Sequence, residues 1–148
     1  DHVPLPPENI HRIPGELPPD EAITFYDREL RAFFGGLPRF DLILLGIGTD
    51  GHTTSLFPHS PALHEHDRYL AATRAPTPPV DRVTLTLPVI NNAARVLFVV
   101  SGAHKAEMLR RVLYDDRTPD ALPAQAVQPT DGEMLWLVDT AAAQSLPR

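Results

Sequence analysis

The sequence predicts an α/β domain whose sheet is mostly parallel, and three observations predict it. Two runs, "DLILLGIG" at 41–48 and "RVLFVVSG" at 95–102, are apolar at consecutive rather than alternate positions, the pattern of strands covered on both faces. Other stretches carry the three-and-four spacing of amphipathic helices. Strands and helices therefore alternate along the chain, which is how α/β domains are written.

The elements follow in order. "PPDEAITFYDRELRAFFGG" (18–36) predicts a helix. Pro19 suits its first turn, Asp20 and Glu21 complement the dipole there, Ile23, Tyr26, Leu30 and Phe33 make an apolar stripe, and Gly35-Gly36 ends it. "FDLILLGIG" predicts a strand apolar on both faces, and "RYLAATRA" and "DRVTLTL" predict two more strands. "LPVINNA" predicts a short helix, and "RVLFVVSG" a second fully buried strand. "AHKAEMLRRVLYDD" predicts a helix with Ala106, Leu109 and Leu113 on one stripe, "EMLWLVD" a late strand and "TAAAQSL" a terminal helix. Trp136, flanked by Met134, Leu135, Leu137 and Val138, reads as core rather than as a sugar-stacking platform.

Composition bounds the function. The 148 residues suit one domain, 1–148, with its own core, and 43% hydrophobic with 22% charged residues is ordinary for a globular chain. A net charge of −6 argues against nucleic acid or an acidic membrane as partner, so an anionic ligand needs a local cationic pocket. The chain has no cysteine, which excludes disulfides, thiolate metal sites and thiol nucleophiles. No apolar run approaches the ~20 residues of a membrane span, and "DHVPLPPEN" has no signal-peptide pattern, so a soluble, cytoplasmic protein is expected. The 17 prolines cluster between apolar runs and punctuate elements.

The sharpest motif is "DLILLGIGTDGHTTSLFP", with a literal G-x-G-x-x-G at Gly46, Gly48 and Gly51. A dinucleotide-binding turn would need a long helix from the third glycine. Pro58 and Pro61 follow too soon, a helix-interior proline costing about 3 kcal/mol. Asp50 would also set a negative charge beside the pyrophosphate. At most a short turn fits between Thr53 and Phe57. What remains is a strand running into a glycine loop that presents Asp50, His52 and Thr53, at the strand end where open α/β sheets bind ligands.

Lys105, the single lysine among twelve arginines, stands in "VVSGAHKAEML", just past the second buried strand and in the first turn of a helix. Helix N-termini attract anions and disfavour cations, so a lysine there is explained if it helps hold an anion, although a solvated surface lysine explains it equally. If strands 41–46 and 95–101 are parallel, His52 and Lys105 face one crevice. Other candidates are weaker. His52, His59, His64 and His66 match no helical metal-ligand spacing, and three of them lie in a proline-rich acidic loop. Ser55 and Ser101 lack a nucleophile elbow. Arg74 and Arg82 flank the "PTPP" turn, and either could meet phosphate or a surface carboxylate.

Taken together, "LLGIGTDGHTTSLFP", "DRVTLTLPVIN", "GAHKAEMLRRVL" and "VQPTDGEMLWLVDTAAA" resemble the 6-phosphogluconolactonases, within the glucosamine-6-phosphate isomerase superfamily. The resemblance runs from "DHVPLPPENIHRIPGE" onward. It implies a Rossmann-like three-layer sandwich with a mostly parallel sheet, of the NagB/RpiA-like kind. It also implies hydrolysis of 6-phospho-D-glucono-1,5-lactone to 6-phosphogluconate in the oxidative pentose phosphate pathway, without metal or organic cofactor. Carried over by motif, His52 is the catalytic residue and Asp50 its assistant, while Lys105 and Arg82 contact phosphate or substrate. Backbone N–H groups from Gly48 to Gly51 are expected to stabilise the tetrahedral oxyanion. The family also has an N-terminal region, with a glycine-glycine-serine phosphate loop and an Asp-Glu-Arg segment, that these 148 residues do not contain. The chain is therefore expected to be the C-terminal portion of such a domain. Two other readings stay open from sequence: a deaminase or isomerase of the same superfamily, and a non-catalytic sugar-phosphate-binding or inactive fragment. Nothing in the residues sets an oligomeric state.

Overall fold

A computed structural model describes residues 3–147. Asp1 and His2, which open the stretch carrying the resemblance, and Arg148 lie outside the described residues. Helix α1 spans Pro19–Phe34, with Pro19 at its start and Asp20 and Glu21 in its first turn. Gly35 closes it at φ +67°, its N–H donating to the Arg31 carbonyl at 3.0 Å, a left-handed cap that glycine adopts without steric cost. Leu30 of the expected stripe is buried and Ile23 and Tyr26 are half-buried, but Phe33 is exposed. In the last turn it is Phe34 that meets Phe40, edge-on at 5.0 Å.

Strand β1 is short, Ile43–Leu45, although the apolar run continues to Ile47. The chain leaves the ladder at Gly46 because side chains take its carbonyls: Thr53 Oγ1 donates to Gly46 O at 2.8 Å and Lys105 Nζ to Ile47 O at 2.8 Å. Strands β2 (Leu70–Arg74) and β3 (Asp81–Leu85) form an antiparallel ribbon in which Thr73 faces Arg82, and α1 packs against it. A short helix α2 (Leu87–Asn91) leads to β4 (Arg95–Val100), then to helix α3 (Ala106–Tyr114) and β5 (Glu133–Val138). The main sheet has the order β1-β4-β5 and both pairings are parallel, with Leu44 beside Leu97 and Leu97 beside Leu135. The parallel arrangement sends the loops after β1 and β4 out at the same end.

The core lies on one side of this sheet. Leu45, Ile47, Val96, Phe98 and Val100 pack with Met108, Leu109 and Val112 of α3 and with Leu56, Leu63, Ile90 and Val127. Phe98 is fully buried and stacks on Trp136 at 4.1 Å between ring centroids, which settles Trp136 as a core partner. On α3 the buried stripe is Ala106, Leu109 and Val112, and the expected Leu113 points outward. Beyond α3, the buried Gln125 amide donates to the Val112 carbonyl at 3.3 Å and accepts the Thr118 N–H at 2.7 Å, so one side chain stitches the following loop to the helix end. The expected terminal helix is a single 3-10 turn, Ala142–Ser145.

The expectation that β1 and β4 are buried on both faces holds for one face. Leu44, Val99, Leu135 and Leu137 project to the other and are exposed. Successive strand residues point to opposite faces, and no described segment lies over the outer one.

Candidate active site

The glycine loop is built by hydrogen bonds within a few residues. Gly48 N–H donates to the His52 carbonyl at 2.7 Å and Gly51 N–H to the Gly48 carbonyl at 3.1 Å. Gly51 sits at φ +88°, and a Cβ there would lie 2.8 Å from Leu122 Cδ2. Gly51 is further pinned by its carbonyl, which accepts the Ala124 N–H at 3.0 Å. Gly48 is needed for closeness: a Cβ would stand 2.1 Å from His52 Nδ1 and 2.5 Å from Asp50 Oδ1. The two expected catalytic side chains thus fold back over a residue that must be bare.

Asp50 and His52 form a pair. Asp50 Oδ1 lies 2.6 Å from His52 Nδ1 and also accepts the His52 backbone N–H at 3.2 Å. With the carboxylate on Nδ1, the proton sits there and Nε2 is left as the basic nitrogen. Burial pushes the Asp50 carboxyl up, but hydrogen bonds from the His52 ring and backbone outweigh it and hold the group below the usual carboxylate range. The Phe57 ring, 4.8 Å from the imidazole centroid, supports the other side.

Lys105 reaches this loop from the far strand. It ends a 3-10 turn, Ala103–Lys105, after β4, and its ammonium donates to the Ile47 carbonyl. Ile47 adjoins Gly48, whose N–H binds the His52 carbonyl, so the chain of contacts from ammonium to histidine is two hydrogen bonds long. An ammonium has three donors, so two remain for an anion. The turn is set by Asp139, whose carboxylate accepts the Gly102 N–H at 3.0 and 3.1 Å and the Ala142 N–H at 2.7 Å. Sequence reasoning missed Asp139, and its one signal was a lone acid directly after the last apolar strand.

Arg82 is not joined to this cluster directly. It lies on β3, half-buried, and its guanidinium has only a 3.4 Å contact to the Asp81 carbonyl, with no ion pair among the described residues. Two residues on, and so on the same side of the strand, Thr84 Oγ1 is 3.0 Å from Thr54 Oγ1 and accepts the Ser55 N–H at 3.4 Å. These hydroxyls tie the ribbon bearing Arg82 to the turn that follows His52. Thr54 has a positive φ of 52°, uncommon for a β-branched residue. The turn itself matches the short span allowed between Thr53 and Phe57, closing through a Thr53–Leu56 bridge. Two of the remaining loop histidines gather elsewhere: His59 Nδ1 and His64 Nε2 contact opposite oxygens of Asp120 at 2.5 and 3.2 Å.

The expected row of substrate-facing amides is narrowed by the geometry. Gly48, Gly51 and His52 N–H groups are all engaged within the loop, and the Asp50 N–H leans on its own carboxylate, whereas that of Thr49 meets no acceptor among the described residues. No helix among these residues is long and apolar enough to cross a membrane.

The parallel sheet brings a carboxylate-oriented histidine and a lysine to one loop at its strand ends, the edge where open α/β sheets bind ligands. Residues 1–136 match the family model described as glucosamine-6-phosphate isomerases/6-phosphogluconolactonase, and the chain belongs to that family. It is 46% identical to the 6-phosphogluconolactonase of Homo sapiens over 147 residues, covering 97% of this chain and 57% of that protein. It is 42% identical to the 6-phosphogluconolactonase of Synechocystis over 151 residues, covering 99% and 62%. Among solved structures, a devB protein superposes with a TM-score of 0.88 at 32% identity, covering 98% of this chain and 62% of that one. The 6-phosphogluconolactonase of Thermotoga maritima gives 0.74 at 34% identity, covering 90% and 57%. The mostly parallel α/β fold is thus shared with these structures. The chain spans roughly three-fifths of the length of the curated relatives it matches.

Proposed function

We propose that the protein to which this chain contributes hydrolyses 6-phospho-D-glucono-1,5-lactone to 6-phosphogluconate, and that Asp50, His52 and Lys105 are its working side chains. The observation that carries this reading is the 2.6 Å Asp50–His52 pair on a loop that also receives the Lys105 ammonium. A δ-lactone is a reactive ester, so a positioned base and an anchored phosphate suffice. His52 Nε2 takes a proton from water as its oxygen bonds to the carbonyl carbon. The free N–H group of Thr49 meets the oxyanion, on a loop whose curvature Gly48 and Gly51 allow. As the tetrahedral intermediate collapses, the bond to the ring oxygen breaks and His52 returns the proton to that oxygen. Lys105 holds the phosphate, with Arg82 as a second cation from the ribbon, fixing the carbonyl against the water. The test is acid release from the lactone set against ammonia release from glucosamine 6-phosphate. Turnover of the second substrate but not the first would replace this reading with the deaminase chemistry.

Lys105→Ala is expected to raise KM for the phosphorylated lactone with little change in kcat, because it removes binding present in ground and transition states alike. An unchanged KM would separate Lys105 from the phosphate. The Asp50–His52 pair also has a pH signature. Since the folded-state carboxyl is held below its ordinary value, the pair stabilises the fold above about pH 4 and that stabilisation fades as pH falls through the folded value. Asp50→Asn should therefore flatten the acid side of the denaturation midpoint against pH. An acid limb of unaltered slope would show that the pair contributes nothing to folding.

A further inference from the structure

We propose that His59 and Asp120 form a surface clasp that positions the His52 loop, with His64 as its second arm. The role rests on the reading of His52 as the general base. Three contacts join segments 61 residues apart in the chain. The His59 N–H donates to the Asp120 carbonyl at 2.8 Å, His59 Nδ1 lies 2.5 Å from Asp120 Oδ2, and His64 Nε2 lies 3.2 Å from Oδ1. The two imidazoles, His59 foremost, hold the Asp120 carboxyl below the usual carboxylate range. His59 also has a positive φ of 59°, a conformation that a residue bearing a Cβ keeps where its surroundings hold it there.

Each arm of the clasp lies two residues from a support of the His52 loop. Phe57, before His59, sets its ring 4.8 Å from the His52 imidazole. Leu122, after Asp120, packs on Gly51, where an added Cβ would lie 2.8 Å from Leu122 Cδ2, and the Ala124 N–H donates to the Gly51 carbonyl at 3.0 Å. The span from Asp120 to Leu122 is itself turned, since the Ala121 and Leu122 N–H groups share the Thr118 carbonyl at 2.9 and 2.7 Å. The contacts therefore close a ring of chain around Gly51 and His52, and the clasp is its outer link. An exposed ion pair adds little to global stability, so the clasp acts on where Phe57 and Leu122 sit rather than on whether the chain folds. Lys105 approaches the loop through Ile47, outside this ring, so phosphate anchoring is untouched.

The experiment compares three variants of the complete protein. Asp120→Ala opens the clasp. His59→Gly keeps the backbone conformation but loses the imidazole, and His59→Asn keeps a side-chain donor and tolerates positive φ. Asp120→Ala and His59→Gly are each expected to lower kcat about tenfold at unchanged KM, less than the hundredfold that a displacement of ~1 Å can cost. Together they should cost no more than either alone, because they break one link. His59→Asn should retain most of kcat. Melting temperatures should stay near the parent value, since the neighbouring Ser60 is anchored separately to Thr73 at 3.0 Å. The second readout needs no substrate: the NMR signal of His52 Cε1–H, identified by its loss in His52→Ala, should shift in Asp120→Ala and His59→Gly as the Phe57 ring moves. That shift in a protein without lactonase activity would uphold the clasp and discard the lactonase reading. A His52 signal unmoved by Asp120→Ala, additive losses in the double variant, or parental kcat in His59→Gly would each overturn the proposal.

Discussion

His52→Ala is expected to lower kcat for lactone hydrolysis by ~10²–10⁴-fold, the range supplied by a positioned general base. The expectation rests on three contacts converging on one ring. Asp50 fixes Nδ1 as the protonated nitrogen, Phe57 supports the ring, and the loop beneath is closed by the Gly48–His52 hydrogen bond. Alanine removes the proton carrier for both halves of the reaction and leaves the Lys105 contact to Ile47 in place. KM should therefore change little while kcat collapses. Asp50→Asn should give a smaller loss of the same kind, because the imidazole remains but its tautomer is no longer set. Near-parental turnover by His52→Ala would take the histidine out of the mechanism.

Gly48→Ala is expected to be nearly as damaging, although it replaces no functional side chain. The added methyl group would fall 2.1 Å from Nδ1 and 2.3 Å from Cε1 of His52, and 2.5 Å from Asp50 Oδ1. These atoms belong to side chains that can swing aside, so the fold should survive while the pair is pushed apart. A displacement of about 1 Å at a reacting group can cost on the order of a hundredfold in rate. Steady-state kinetics and a melting curve together make the check: kcat should fall with the melting temperature close to the parent value. A parental kcat would show that the loop relaxes around the methyl without moving His52. Gly51→Ala differs, since strained backbone and the Leu122 contact would bring a stability loss with it.

Several features were legible in the letters. The consecutive apolar runs marked β1 and β4, the two proline-bounded stretches marked the ribbon, and early prolines ruled out a long helix after Gly51. The same proline argument removed the dinucleotide reading, and the structure puts only a bridged turn there. Asp50 and His52 were legible as a pair because they sit two residues apart in one glycine turn. The stripe on α3 was misread by one position, Leu113 for Val112, because spacing gives the existence of a face more firmly than its orientation. Asp139 and Thr84 were not legible as contributors. Each acts on a residue more than 25 positions away, through contacts that only chain folding creates.

By itself, the sequence determined the order of strands and helices, the glycine loop and the identity of its polar side chains, since these depend on local periodicity and on backbone freedom at single residues. Tertiary structure decided which distant groups meet. Parallel pairing of β1 with β4 carried Lys105 to the Ile47 carbonyl, 58 residues away along the chain, and left Leu44, Val99, Leu135 and Leu137 on an uncovered face. The reason is physical: an apolar run declares that a strand should be buried, but only the packing of remote segments determines which of its two faces is.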